Sequence, residues 1–158
     1  MSTEFDVKMT ASKMYGYMMR HTFTSFAGIV GEVLGIVLIA GFFAYGQWLY
    51  LVAGIVCVFY QPVALYVRSR QQVEKNEVFS KPLHYRLDES GVTVKSGENT
   101  DSLGWDRMYK AVSTPGLIIL YTGRVNACIF PKEDLGDKKE EVIRIISAHM
   151  DPKQVNIR

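Results

Sequence analysis

The sequence predicts an α+β membrane protein, a two-helix transmembrane hairpin followed by an antiparallel sheet with a C-terminal helix. Three observations carry that expectation. No Asp, Glu, Lys or Arg lies between Glu32 and Arg68. That window holds two apolar segments of spanning length, and charge is dense from Arg68 to the end. Beyond Arg68 the hydrophobic period shortens to that of strands, and then lengthens to that of a helix near the C-terminus.

The chain begins with an alternation. Phe5, Val7 and Met9 alternate with Asp6 and Lys8, which predicts a strand, and a helix from Thr10 is expected to run into the first span. Residues 1–22 therefore form an N-terminal strand and a juxtamembrane helix. Residues 23–67 form the hairpin. Its spans, Phe23 to Ala44 and Gln47 to Val67, are about 22 and about 21 residues long, against the ~20 needed to cross a bilayer. Helices of that length buried in a soluble protein seldom lack a polar face. The short connection Ala44 to Gln47 forces the spans antiparallel. Tyr45, Trp48 and Tyr50 mark one aromatic belt, and Tyr60 and Tyr66 the other.

Orientation follows from the basic flanks. Lys8, Lys13 and Arg20 precede the spans, Arg68, Arg70 and Lys75 follow them, and the turn carries no basic residue. The positive-inside rule then places both termini in the cytoplasm of a multi-pass cell-membrane protein. A cleaved signal peptide does not fit, because the apolar region is too long and a second span follows at once.

Within the first span Ala27, Gly31 and Gly35 recur every four residues, and Gly31 with Gly35 forms a G-x-x-x-G. Such a stripe admits a close helix neighbour. That neighbour is either the second span, with its small Ala53 and Gly54, or a membrane-protein partner or second copy of the chain. Glu32 lies in the same segment. Counted from Phe23 it is nine residues deep, roughly 13 Å at ~1.5 Å per residue. An ionisable group at that depth is a candidate contact for a partner's hydroxyl or ammonium. If instead the span starts near Ala27, Glu32 is shallow and tolerated. Both readings stay open.

Residues 72–158 form the soluble part. Leu83, Tyr85 and Leu87 alternate with polar neighbours, Asp88 to Gly91 turns, and Val92 and Val94 resume the strand. Ser96 to Thr100 turns again. Leu103 and Trp105 share a strand face, which makes Trp105 a core residue, and Met108 to Ser113 continues as a strand. Leu117 to Tyr121 is a central strand by its unbroken apolar run. Thr122-Gly123-Arg124 turns into Val125 to Phe130, which Pro131 ends, for a meander of about six strands. A final helix starts at Asp137 with Glu140 as a capping box, and presents Val142, Ile146 and Met150 to the sheet. The N-terminal strand can pair with this sheet, because both lie on one side of the membrane.

The matching stretches FSKPLHYRLDESG (Phe79 to Gly91), LGWDRMYK (Leu103 to Lys110) and IILYTGRVNACIFPK (Ile118 to Lys132), behind a strand and a hairpin, resemble the YcxB-like family of bacterial membrane proteins. The resemblance implies a cytoplasmic domain similar to pleckstrin-homology folds. It implies no reaction, since members of the family are mostly of unknown function.

Catalytic chemistry is not indicated. His21, His84 and His149 are scattered, Cys57 and Cys128 read as small hydrophobes, and no phosphate-binding, dinucleotide or nucleophile motif occurs. No cofactor is expected. A net charge of +2 without a basic helix or zinc spacing gives no reason to expect nucleic acid. Arg68 and Arg70 can hold anionic lipid, each worth ~1 kcal/mol near the surface. Lys132, after Pro131, can meet a phosphate or headgroup, although a solvated charge at a strand end explains it as well. The expectation is a non-catalytic, membrane-tethered binding or regulatory module of unknown ligand. The alternative is an accessory subunit of a transporter or membrane enzyme, docked through Glu32, Gly31 and Gly35.

Overall fold

The computed structural model describes residues 2–79, 81–123 and 126–157. Arg124, Val125 and Arg158 lie outside the described residues, so the turn expected at Thr122-Gly123-Arg124 is described only in part. The chain opens with β1 (Thr3–Val7), whose residues alternate buried and exposed as the pattern predicts. Helix α1 (Ala11–Phe23) follows, its N-terminus capped by the Thr10 hydroxyl, which accepts from the Lys13 N–H at 3.3 Å.

The expected continuous helix into the first span does not form. The Thr24 hydroxyl donates to the Arg20 carbonyl at 2.7 Å and the Ser25 hydroxyl to the Thr22 carbonyl at 2.7 Å. Ser25 then accepts from the Gly28 N–H at 3.1 Å and caps a new helix, α2 (Phe26–Tyr45). Short hydroxyl side chains compete for backbone partners in this way, which is why they favour helix starts over helix interiors. The fold at this corner is tight: a Cβ on Gly28 would collide with the Thr22 carbonyl oxygen.

Helix α2 closes on Gly46, whose left-handed φ of 68° suits glycine. Helix α3 (Trp48–Lys75) returns antiparallel and continues eight residues beyond the expected end at Val67. The two backbones touch. A Cβ on Gly35 would lie 2.7 Å from a Val58 methyl and 3.2 Å from the Gly54 carbonyl, and one on Gly54 would lie 2.8 Å from the Gly35 carbonyl. Outward, both helices are apolar and uncovered. Within the most apolar stretch of each, only 11% of residues are buried, and Phe26 is 84% and Ile36 61% exposed. Both helices are long and apolar enough to cross a membrane.

The strands form two antiparallel-based sheets rather than one meander. The first runs β1-β2-β3-β4, with β2 (Leu83–Leu87), β3 (Gly91–Ser96) and β4 (Asn99–Gly104). The N-terminal strand does pair across the hairpin, with Phe5 opposite Tyr85 and Val7 opposite Leu83. The second sheet runs β7-β6-β5-β8, with β5 (Lys110–Ser113), β6 (Leu117–Tyr121), β7 (Ala127–Pro131) and β8 (Val155–Asn156). Strand β8 lies parallel to β5. It is only two residues long, too short for an alternation to reveal.

Two further expectations are corrected. Trp105 is not a strand residue but opens a 3₁₀ turn, Trp105–Arg107, between the sheets. Its indole donates to the Asp88 carbonyl at 2.9 Å and stacks on His149 at 5.2 Å, so it borders the core half-buried. The capping box at Asp137 is absent. A short helix α4 (Lys132–Leu135) and a 3₁₀ turn (Gly136–Lys138) lead into α5 (Lys139–His149), which has no side-chain cap. Pro131 ends β7 in extended geometry, and helical geometry begins at Lys132, ahead of the expected cap.

One core joins both sheets and α5. Phe5, Tyr85 and Phe130 meet with ring centroids 5.0–5.8 Å apart, and Val142, Ile145 and Ile146 close it from α5. Helix α1 fastens this domain to the hairpin. Its Met14 is buried in the same core, and its Tyr15 meets Tyr66 of α3 edge-on at 6.0 Å. Lys13 reaches from α1 to α4, 2.8 Å from Asp134 and 3.0 Å from Glu133.

Candidate functional site

The residues singled out in the sequence do not gather at one place. Gly31 and Gly35 face the second span of the same chain, Gly31 against Gln61 and Gly35 against Gly54, Cys57 and Val58. The small-residue stripe is thus occupied within the hairpin. Glu32 is the seventh residue of α2, about 9 Å along its axis at ~1.5 Å per residue, shallower than a start at Phe23 implies. It is half-buried, and its Oε1 is enclosed without a hydrogen-bond partner among the described residues. The nearby Gln61 amide is committed to the Gly28 carbonyl at 3.2 Å.

Arg70 pairs with Glu74 at 3.3 Å, both more than half exposed, which is a solvated helical pair of small energetic weight. Arg68 borders a shallow surface with Met18, Gln72 and Lys75, and a small void of about 90 Å³ with Thr22 and Leu65. Lys132 lines neither cavity. It sits at the start of α4, where burial and then the charge of Lys139 hold its pKa below the ordinary lysine value.

The structure brings together a different set. A cavity of about 180 Å³ opens where the end of α1 and the cap of α2 meet the end of the β5–β6 pair at Lys110 and Tyr121. Arg20, His21 and Ser25 line it from the helical side, Tyr109, Lys110 and Tyr121 from the sheet side. Aromatic packing sets the two walls. Tyr121 lies against Tyr17 at 6.3 Å and against His21 at 6.2 Å, and the Tyr109 N–H donates to the Tyr121 carbonyl at 2.8 Å. Tyr109 itself is 61% exposed at the rim. Burial raises the phenol pKa of Tyr121, with the Arg20 charge opposing, and burial followed by Tyr121 raises that of Tyr17. Both phenols stay neutral donors at physiological pH.

Charge in this cavity is one-sided. No carboxylate lines it among the described residues, and neither Arg20 nor Lys110 makes an ion pair among them. Two other cations are held by carboxylates: Lys13 by Asp134 and Glu133, and Arg86 by Glu4 and Asp88. Two free cations beside neutral phenols can bind an anion through charge and hydrogen bonds. They do not form a nucleophile–base pair. Cys128 is buried with its thiol pushed up to about 11, and no group of metal-ligating side chains assembles among the described residues.

Sequence reasoning used Arg20 only as an orientation signal and gave Tyr109, Lys110 and Tyr121 no role. The available hint was a Tyr-Lys pair, Tyr109-Lys110, beside an apolar strand, and an Arg-His pair, Arg20-His21, just before a span. Nothing local links them.

Residues 87–146 match the family described as YcxB-like protein. The match runs from the last residue of β2 into α5, so it covers most of the two sheets and omits the hairpin. No curated protein and no solved structure matches the chain.

Proposed function

We propose that this chain, which carries a YcxB-like domain over residues 87–146, is a non-catalytic, membrane-tethered binding module. In this reading α2 and α3 cross the cell membrane and both termini are cytoplasmic. The double sheet closed by a C-terminal helix acts as a pleckstrin-homology-like domain held at the bilayer. Membrane insertion is supported by the uncovered apolar faces of both helices, since a core helix of a soluble protein would be mostly buried. Basic residues at both flanks and none in the Gly46–Gln47 turn support the orientation.

The observation that carries the binding role is the cavity beside the α2 cap, lined by Arg20 from α1 and Lys110 from β5, neither of them ion-paired among the described residues. Both side chains are exposed, so their charges stay available to a ligand, and no carboxylate lines the cavity among the described residues. An unmatched pair on a rigid frame is preorganised for an anionic ligand. A photocrosslinking amino acid at Tyr109, introduced into the full chain in intact cells, tests this. A discrete adduct is expected at Tyr109 and not at exposed Lys95, on the other sheet. Equal labelling at both positions, or none at either, would sink the proposal.

A second reading, an accessory subunit docked through the hairpin, rests on Glu32. Its unpartnered Oε1 would gain a hydrogen bond from a neighbouring membrane protein. Because Gly31 and Gly35 already serve the internal contact, such a partner would have to approach the outer apolar face of α2.

A further inference from the structure

We infer that the cavity at the α1–α2 corner holds the phosphate of an anionic phospholipid headgroup, gripped between Arg20 and Lys110. This rests on the proposal that the hairpin spans the bilayer, and it names the ligand of the binding site.

The first argument is depth. Helix α2 has 20 residues, about 30 Å at ~1.5 Å per residue, the thickness of a hydrocarbon core of ~30 Å. With Tyr45 at the far side, Phe26 stands at the near edge of the hydrocarbon and the Ser25 cap just outside it. The interfacial layer extends only ~5–8 Å further on each side, and the cavity begins at Ser25 and the preceding turn of α1. The second span gives the same level independently. Thr22 and Arg68 border a common void, and Arg68 is the first charged residue after the apolar part of α3. The cavity therefore opens in the headgroup layer.

Chemistry and size agree with that position. Arg20 offers a planar fork of N–H donors suited to two phosphate oxygens, and Lys110 offers a point charge. Neither cation has a competing carboxylate among the described residues. Tyr109, 61% exposed at the rim, is an amphipathic ring of the kind that settles at lipid interfaces. Pockets that enclose a whole drug-sized ligand run to about 300–1,000 Å³. A cavity of about 180 Å³ admits a phosphate with a short polar substituent and leaves its acyl chains in the bilayer beside α2.

The test uses the full-length protein, delipidated in mild detergent and titrated separately with phosphatidylglycerol and phosphatidylcholine. Bound lipid is counted by native mass spectrometry. Wild type is expected to retain phosphatidylglycerol in preference to phosphatidylcholine. Arg20→Ala and Lys110→Ala should each weaken phosphatidylglycerol about five-fold, in line with ~1 kcal/mol per basic residue near a membrane surface. Lys95→Ala should change nothing. Glycerol 1-phosphate, added without lipid, should not bind measurably. Lys110 is exposed at the first position of β5, so its variant remains folded, which circular dichroism checks. Wild-type lipid retention by folded Lys110→Ala overturns the inference. Binding of glycerol 1-phosphate as strong as that of the lipid also overturns it, in favour of a soluble phosphate compound. Should the Tyr109 crosslink capture a ligand while lipid preference is missing, the binding-module reading stands and the headgroup assignment falls.

Discussion

Lys13 shows how a single side chain ties α1, the helix ahead of the apolar hairpin, to a folded domain. Its ammonium reaches both Asp134 oxygens at 2.8 and 2.9 Å, the Lys8 carbonyl at 3.0 Å and Glu133 at 3.0 Å. Partial burial pulls its pKa down, but hydrogen bonds and charges from Asp134 and Glu133 together outweigh that and leave it raised. A raised cation pKa means the contribution is fully present below the ordinary lysine value and lost only as pH rises through the folded one. The clamp therefore holds at neutral pH. Lys13→Ala is expected to lower stability by about 2 kcal/mol, the range of a hydrogen bond to a charged group, read as an earlier thermal transition in detergent. An unchanged transition would show that the ion pairs are decorative. Asp88 carries the opposite sign. The Ser90 hydroxyl and then the Ser90 N–H hold its pKa below the ordinary carboxylate value, with Arg86 assisting at 3.2 Å. Its stabilisation is complete above pH ~4 and lost as pH falls through the lowered value. Asp88→Asn should therefore flatten the acid side of the stability–pH profile while leaving the alkaline side alone, as denaturant titrations from pH 2 to 8 would reveal.

Among the elements, the hairpin is decided by backbone approach. Gly35 and Gly54 bring α2 and α3 into direct contact, with Val58 and Ile39 filling the remaining space. In the proposed membrane setting there is no hydrophobic drive between helices, so close packing would supply the association. Gly35→Ile inserts a branched side chain where even a Cβ is crowded, and overpacking of this kind costs about 1–3 kcal/mol. It should lower the thermal transition in detergent, whereas Val37→Ile, on the outer face at 59% exposure, should not. Equal behaviour of the two would mean that the spans do not rely on this contact. The break between α1 and α2 has an equally local cause, because Thr24 and Ser25 spend their hydroxyls on backbone carbonyls. The resulting corner points α1 toward the sheets and creates one wall of the cavity.

At the scale of the molecule, β1 governs both stability and topology. Phe5, Val7 and Met9 are each at most 5% exposed, and full burial of one such side chain is worth about 1.5–3 kcal/mol. Against a typical domain stability of ~5–15 kcal/mol, their loss is severe. A fragment of residues 72–158 is expected to lack a cooperative thermal transition, and joining residues 2–9 to its N-terminus by a flexible linker should restore one. A cooperative melt of the bare fragment would show that β1 is dispensable. Topology follows from the same pairing. Strand β1 precedes the hairpin and β2 follows it, yet they are hydrogen-bonded neighbours, so both flanks lie on one side of whatever the hairpin crosses. Cysteines placed at Ser2 and Asn156 should be protected from a membrane-impermeant reagent in intact cells, while one at Gln47 should react. Reaction at Ser2 from outside would overturn the orientation.

Much of this architecture could be read along the chain, because its signals are carried by adjacent residues. The uncharged run from Val33 to Val67, the alternation at Phe5, Val7 and Met9, and the apolar strand Leu117 to Tyr121 each report local burial directly, through period or length. The start of the first apolar span at Phe26 was less legible, since Phe23 extends the apolar run while two hydroxyl side chains end the helix before it. Strand β8, the 3₁₀ turn at Trp105 and the division into two sheets leave no periodic trace, being products of pairing between distant segments. The cavity belongs wholly to that second category. Arg20 and Lys110 are separated by the whole hairpin and three strands of the first sheet, and the packing of Tyr17 and His21 on Tyr121 brings them to one cavity. Patterning along the chain thus fixes which segments are apolar helices and which are strands. Long-range packing alone decides that Arg20 and Lys110 share one cavity, because that depends on distances between residues no local period connects.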